Sequence, residues 1–319
     1  MKIFSAQQTR RALPFARLIE ALRSMFVHGC EVPQRHTHTV VNTDGSKGII
    51  LIMPAWQADR YVGIKTVNIF PDNTAHGLPG LFASYMLYDA RTGQPLAYID
   101  GTEITARRTA AASALAASRL ARKDARRLLV VGAGRVATLL PPAYRQVLPI
   151  EVVEVWARNA LQAQALVDSL KTQNIDAKLA TDLAQAVARA DVISCATLAT
   201  DPVIQGDWLS PGSHLDLIGS FTPYMREADD ACFANASLYV DTPEAMQKSG
   251  DLLGPLSRGV ISSDGVRGTL ADLCRATVSG RQTAAERTVF KSVGTALEDL
   301  ASAILVYEGA QCADRSVDR

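Results

Sequence analysis

The stretch Val130-Val131-Gly132-Ala133-Gly134-Arg135-Val136-Ala137 constrains this chain more than any other. It closes the apolar run Leu128–Val131, which reads as a buried strand, and gives G-x-G-x-x-A at a strand-to-helix turn. Gly132 allows the tight reversal, Gly134 lets the backbone approach a pyrophosphate, and Ala137 lets the helix pack on the strand. The helix N-terminus then offers its backbone N–H groups to the phosphates. With Arg135 and Val136 completing the loop, the turn predicts a dinucleotide-binding α/β chain and makes hydride transfer the leading chemistry. Pro141 and Pro142 fall about two turns into that helix; interior prolines remove a donor and clash with the preceding turn, so a kink or early break is expected.

The next strand, Val152–Trp156, ends in Ala157-Arg158-Asn159. Folds that bind NAD usually place a carboxylate there for the ribose 2′-hydroxyl. A missing negative charge and an added guanidinium favour a 2′-phosphate instead. Arg158 and Asn159 are therefore placed at the cofactor, which is expected to be NADPH, with NADH as the alternative. Thr197 is placed at the nicotinamide ribose by its position alone.

From about Ala125, strands (128–131, 152–156, 191–197, 214–218, 238–240) alternate with helices (160–170, 184–190). That rhythm implies a Rossmann-type doubly wound parallel sheet. Residues 1 to 118 read differently. A helix over Pro14–His28 precedes strand-like runs at 37–41, 48–53, 61–68, 80–88 and 95–100, with turn signals such as Asp44-Gly45 between them. An antiparallel sheet is expected, followed by an Ala-rich helix over 106–120. The tail from Thr288 to Tyr307 has helical spacing.

The formal charge of +1 over 319 residues argues against a nucleic-acid partner. The basic run Arg119, Arg122, Lys123, Arg126, Arg127 lacks interleaved aromatics and reads as a solvated helix end. Five scattered cysteines form no C-x-x-C, so neither a disulfide framework nor a zinc site is expected. His36-x-His38 lacks a third ligand, so no metal is expected, and Cys195 lacks a partner histidine and reads as a packed thiol. The N-terminal residues lack the apolar run of a signal peptide, and no apolar stretch approaches the ~20 residues of a membrane span. A cytoplasmic protein is expected.

Asp100-Gly101-Thr102-Glu103-Ile104-Thr105-Ala106-Arg107-Arg108-Thr109, continuing into Ala110-Ala111-Ala112-Ser113-Ala114, resembles the signature of the ornithine cyclodeaminase/mu-crystallin family. Gly63-Ile64-Lys65-Thr66-Val67-Asn68, Ile218-Gly219-Ser220 and Thr288–Gly294 are similar to the same family, in the same order. The resemblance implies a homodimer. It also implies a mixed α+β substrate and dimerisation domain (1–118 with 295–319), an NADP-binding domain (119–294), and an active site in the cleft between them. It assigns Arg35, Lys65 and Arg108 to the substrate carboxylate, Thr109 to a phosphate at a helix start, and Val293 to the cofactor. Guanidinium groups bind carboxylates in bidentate fashion and a lysine adds a point charge, so this cation set is chemically apt.

Two positions depart from the cyclodeaminase pattern. Leu51 and Phe221 stand where those enzymes carry a glutamate and an aspartate. Cyclodeamination needs a base and a group for a second, cationic amine. An apolar pair supplies neither and disfavours an ammonium. Reduction of a preformed ring imine needs only a clamped carboxylate, a protonated C=N and an aligned hydride. The expected activity is NADPH-dependent reduction of 1-pyrroline-2-carboxylate and 1-piperideine-2-carboxylate to proline and pipecolate. Lys65 and Arg108 are the catalytic cations, and Ser220 or a water carries the proton. The alternatives are an ornithine cyclodeaminase, a non-catalytic NADP- and hormone-binding protein like the mu-crystallins, and an alanine dehydrogenase.

Overall fold

This computed structural model describes residues 1–317, which divide into two compact units: residues 1–108 with the C-terminal segment from Thr295, and residues 109–294. In the first unit, strands β1 (Lys2–Phe4), β2 (His36–Val41), β3 (Lys47–Gln57), β4 (Tyr61–Ile69), β5 (Leu81–Asp89) and β6 (Pro95–Asp100) form one sheet in the order β1-β6-β5-β4-β3-β2. Neighbours are antiparallel, except that β1 runs parallel to β6. Strand β3 continues past Met53, where the sequence reading ended it. Its neighbour β2 pairs only as far as Ile52, so Pro54 has no ladder bond to lose on that flank.

Opposed residues of antiparallel strands share a face. Met53, Lys65, Tyr85 and Ile99 therefore form one row across β3, β4, β5 and β6. This face is buried, with Ala55, Val67 and Leu87 beside the row. The C-terminal helix (Ala296–Val317) packs on it and against the helix Phe15–His28, whose buried stripe is Phe15, Leu18, Ile19, Leu22, Met25 and Phe26. The opposite face is also apolar, with Ile52, Trp56, Val62, Ile64 and Met86, yet those side chains are half-exposed.

The Ala-rich helix spans Gly101–Leu120, starting five residues earlier than expected. Asp100 is the reason: its Oδ1 accepts a hydrogen bond from the Glu103 amide at 2.7 Å, an acidic cap that fixes the first turn. Thr109 consequently lies in the third turn and not at a helix start, which corrects the expectation. The two units also part after Arg108 rather than after residue 118. Residues beyond Arg108 are tied to the second unit: Ser113 donates to Asp216, and the Leu120 carbonyl accepts from Arg281 and Thr288.

The second unit is a doubly wound parallel sheet. Strands β7 (Arg127–Val131), β8 (Val152–Trp156), β9 (Ala177–Leu179), β10 (Val192–Cys195), β11 (His214–Leu217), β12 (Ser237–Val240), β13 (Val266–Thr269) and β14 (Thr288–Lys291) take the order β13-β12-β14-β11-β10-β7-β8-β9. The order reverses between β7 and β10, the switch point at which such sheets bind ligands. Thr288–Lys291 is a central strand, contrary to the helical tail read from the sequence. Four residues buried on both faces carry no period, so a short interior strand is indistinguishable from a buried helical turn. The helix after β7 breaks as expected: a single 3-10 turn, Ala137–Leu139, precedes a five-residue helix, Leu140–Tyr144, with the prolines in its first turn.

Candidate functional site

In the second unit the glycine turn follows directly on β7. Gly132 has φ +118°, and a Cβ there would meet the Ala196 carbonyl oxygen at 2.6 Å, so only glycine fits. A Cβ at Gly134 would meet nothing within 4 Å. That open side is the approach a diphosphate needs, and the turn fits a dinucleotide. Ala137 is fully buried against the fold, while Arg135 is exposed and Val136 half-buried. Arg158 is exposed just past the end of β8. Asn159 is the N-cap of the helix Ala160–Thr172, its side chain accepting from the Leu161 and Gln162 amides, so its oxygen serves the helix first.

The loops at the C-terminal ends of the neighbouring strands are pinned by buried carboxylates. Glu227 Oε1 accepts from the Thr197 amide at 2.7 Å and the Thr197 hydroxyl at 2.8 Å, and Oε2 accepts from the Gly219 amide at 2.6 Å. Gly219 leaves room for this strap, since a Cβ there would meet the Thr197 carbonyl oxygen at 1.9 Å. Burial, reinforced by Asp251 against the opposing pull of Lys291, raises the Glu227 carboxyl to about 7. Asp241 holds the Val293 amide at 2.8 Å and the Gly294 amide at 2.6 Å. Ser220 is removed from its expected role. Its buried hydroxyl donates to the Met225 carbonyl, lies 3.0 Å from the Ser249 hydroxyl and accepts from the Asp251 amide, so it is a structural link without a proton to offer.

In the first unit the predicted cations meet partners that the sequence reading missed. Lys65, on β4, is 1% exposed, and its Nζ lies 2.6 Å from Asp299 Oδ2. Arg108 donates from Nη1 to Glu298 Oε2 at 2.7 Å and from Nε to Asp299 Oδ1 at 3.1 Å. All four side chains are buried. Burial outweighs Asp299 and lowers the Lys65 ammonium to about 8. Burial would raise Asp299, but Lys65 and Arg108 overcome it and hold that carboxyl below its ordinary value. The half-buried Arg35 immediately precedes β2, whose pairing with β3 starts at His36 and Ile52. Lys65 and Arg108 thus face two carboxylates, Glu298 and Asp299, and the four charges of the cluster balance. Arg107, next to Arg108 in the chain, instead donates to the Leu13 carbonyl and stacks on Phe15. His36 and His38 pair with Ile52 and Ile50, on the face away from Lys65, and no metal-binding cluster of His, Cys, Asp or Glu occurs among the described residues.

A model of the ornithine cyclodeaminase/mu-crystallin family matches residues 5–314. The chain belongs to this family. A Delta(1)-pyrroline-2-carboxylate reductase from Paracoccus denitrificans is 43% identical over 284 residues, 88% of either chain. The solved structure of Thermococcus litoralis Delta(1)-pyrroline-2-carboxylate reductase, in complex with NADH and L-proline, superposes with a TM-score of 0.91 at 33% identity over 98% of both chains. An archaeal alanine dehydrogenase dimer with bound NAD superposes at 0.90 with 29% identity, over 98% of this chain and 97% of that one.

Within the family frame, the two departures have definite places. Leu51 lies two residues along β3 from Met53, on the same face as Lys65, and pairs with Val67. Phe221 is 44% exposed beyond β11, with Leu198 and Tyr224 also exposed in this unit. The overlooked pair Glu298-Asp299 carried a signal: two adjacent acids in the first turn of a helix otherwise flanked by Ala296, Leu297, Leu300 and Ala301. Acids there suit the helix dipole, which made them look ordinary. Tyr85 was overlooked too. Its buried hydroxyl has no hydrogen-bond partner among the described residues, and it occupies the space that a Cβ on Gly63 would need.

Proposed function

We propose that this protein reduces cyclic ketimines with NADPH, converting 1-pyrroline-2-carboxylate to L-proline and 1-piperideine-2-carboxylate to L-pipecolate. It is an NAD(P)H-dependent oxidoreductase acting on C=N bonds, and the choice of NADPH rests on Arg158 at the tip of β8. The observation that carries the reading is the buried Lys65–Arg108–Glu298–Asp299 cluster with Leu51 on the same sheet face. Its two acids hold the two cations in place for a substrate carboxylate, and its apolar neighbour gives a second ammonium no counter-ion. The paired carboxylates also relieve an objection. Cations alone would repel an iminium, whereas a nearly balanced cluster tolerates one.

Gly132 and Gly134 would hold the dinucleotide's diphosphate with Ala137 packed behind them, Arg158 its 2′-phosphate, and Thr197 and Val293 the nicotinamide end. When bound, the reduced nicotinamide supplies the hydride. Arg35 and Arg108 hold the substrate carboxylate and Lys65 lies beside it. We place the enzyme in the cytoplasm as a homodimer, joined through the apolar, half-exposed face of the first sheet; no helix of the described residues is long and apolar enough to cross a membrane.

The deciding assay follows NADPH absorbance with each ring imine, then ammonia release from ornithine and NADH formation from alanine. Imine-dependent NADPH loss is expected. Ammonia from ornithine without imine reduction would establish the cyclodeaminase instead, and tight NADPH binding without turnover the mu-crystallin-like binder.

A further inference from the structure

We propose that Asp299 is a positioning residue that keeps Lys65 charged, making Lys65 the proton source for the imine nitrogen. The inference rests on the reductase reading and supplies the step that Ser220 cannot perform. Among the described residues, an ion pair at 2.6 Å between side chains that are 2% and 0% exposed is the closest contact Lys65 makes to a carboxylate. The same carboxylate spans to Arg108 at 3.1 Å, so it fixes two cations with one group.

The charged groups facing Lys65 come from two helices, while the flanking strand β3 presents Met53. Asp299 and Glu298 face it from the C-terminal helix and Arg108 from the helix Gly101–Leu120. Tyr85 lies opposite it on β5, and Cys30 is the other titratable group near Tyr85. Burial and Arg108 drive the ammonium toward deprotonation, while Asp299 and Glu298 oppose them. The balance leaves an ammonium that gives up its proton far more readily than an exposed lysine, yet is still charged near neutrality.

The step balances. Hydride leaves the reduced nicotinamide and bonds to C2 of the ring, so the cofactor is oxidised and the imine reduced. The C=N π pair becomes the electron pair on nitrogen, and nitrogen takes the proton that leaves Lys65 Nζ. Water returns a proton to the neutral lysine amine.

The test uses wild type, Asp299→Asn and Asp299→Glu, with pyrrole-2-carboxylate as a planar probe that cannot accept hydride. Probe affinity and kcat for 1-pyrroline-2-carboxylate are measured against pH, and each variant is melted. In wild type both quantities fall as pH rises through about 8, where Lys65 loses its charge. Loss of the opposing carboxylate lowers that midpoint by about one to three pH units in Asp299→Asn, and Asp299→Glu restores it. A folded Asp299→Asn with an unmoved midpoint overturns the role of Asp299. If Asp299→Asn does not fold, wild type decides: no fall in probe affinity between pH 7 and 9 overturns the proposal. A wild type that shows the fall in probe binding but reduces no ketimine overturns the reductase reading alone.

Discussion

Replacing Arg158 by alanine tests what holds the far end of the cofactor. Arg158 stands exposed past β8, and Asn159 caps the following helix without it, so the substitution removes a charge and leaves packing intact. The acid within β8, Glu154, is buried and paired with Arg189 at 2.5 Å and Lys178 at 3.3 Å, so it takes no part at the strand tip. A well-formed guanidinium–phosphate bond is worth about 1.5–3 kcal/mol. Exposure and ionic screening reduce that to about 1–2 kcal/mol, or about 5- to 30-fold in affinity. Steady-state KM values for NADPH and NADH, taken at low and high salt, read the effect directly. The NADPH value should rise by that factor, the NADH value should stay put, and the gap should narrow with salt. An unchanged NADPH to NADH ratio in a variant that melts like wild type would refute the assignment.

The glycine turn gives a paired prediction: Gly132→Ala should lower the melting temperature, costing about 1–3 kcal/mol, because φ is positive and Ala196 blocks the Cβ. Gly134→Ala should melt as wild type yet bind dinucleotide at least about tenfold more weakly, since only a ligand contests that space; equal binding would unseat the phosphate site. Glu227→Gln turns an acceptor into a donor facing amide hydrogens, and dinucleotide titration should show a loss of about 1–3 kcal/mol. Glu227 holds its proton more tightly folded than unfolded, so wild type should lose stability relative to that variant as pH rises from 4.5 to about 7, measured by denaturant unfolding. Trp56→Glu with Ile64→Lys should yield monomers in sedimentation velocity; an unaltered dimer would exclude that face.

The dinucleotide turn was legible because its constraint is local: a strand, two glycines and an alanine at fixed offsets. Pro141 and Pro142 announced the broken helix for the same reason. The antiparallel runs were legible from the turn signals between them, and β3 was cut short only because the flank of Pro54 is a property of its neighbour. Lys65 and Arg108 could be found by family resemblance, but Glu298 and Asp299 lie about 190 positions from Arg108, and nothing in a helix's first turn states which cation it will meet. Ser220 was misjudged because a hydroxyl's proton is directed by tertiary neighbours, here the Met225 carbonyl. β14 was misjudged because four buried residues are too few to show a period.

The interior position of that strand bears on how the chain is made. His214 opens β11 and Thr288 opens the strand that closes its flank, 74 residues later. At a ribosomal pace of about 5–20 residues per second, the edge of β11 waits roughly 4–15 s for its partner. Through that interval β12 and β13 have emerged without the strand that joins them to the growing sheet. A nascent chain therefore carries an open, apolar strand edge until nearly the last helix, and slowed synthesis over residues 214–288 should favour aggregation over assembly.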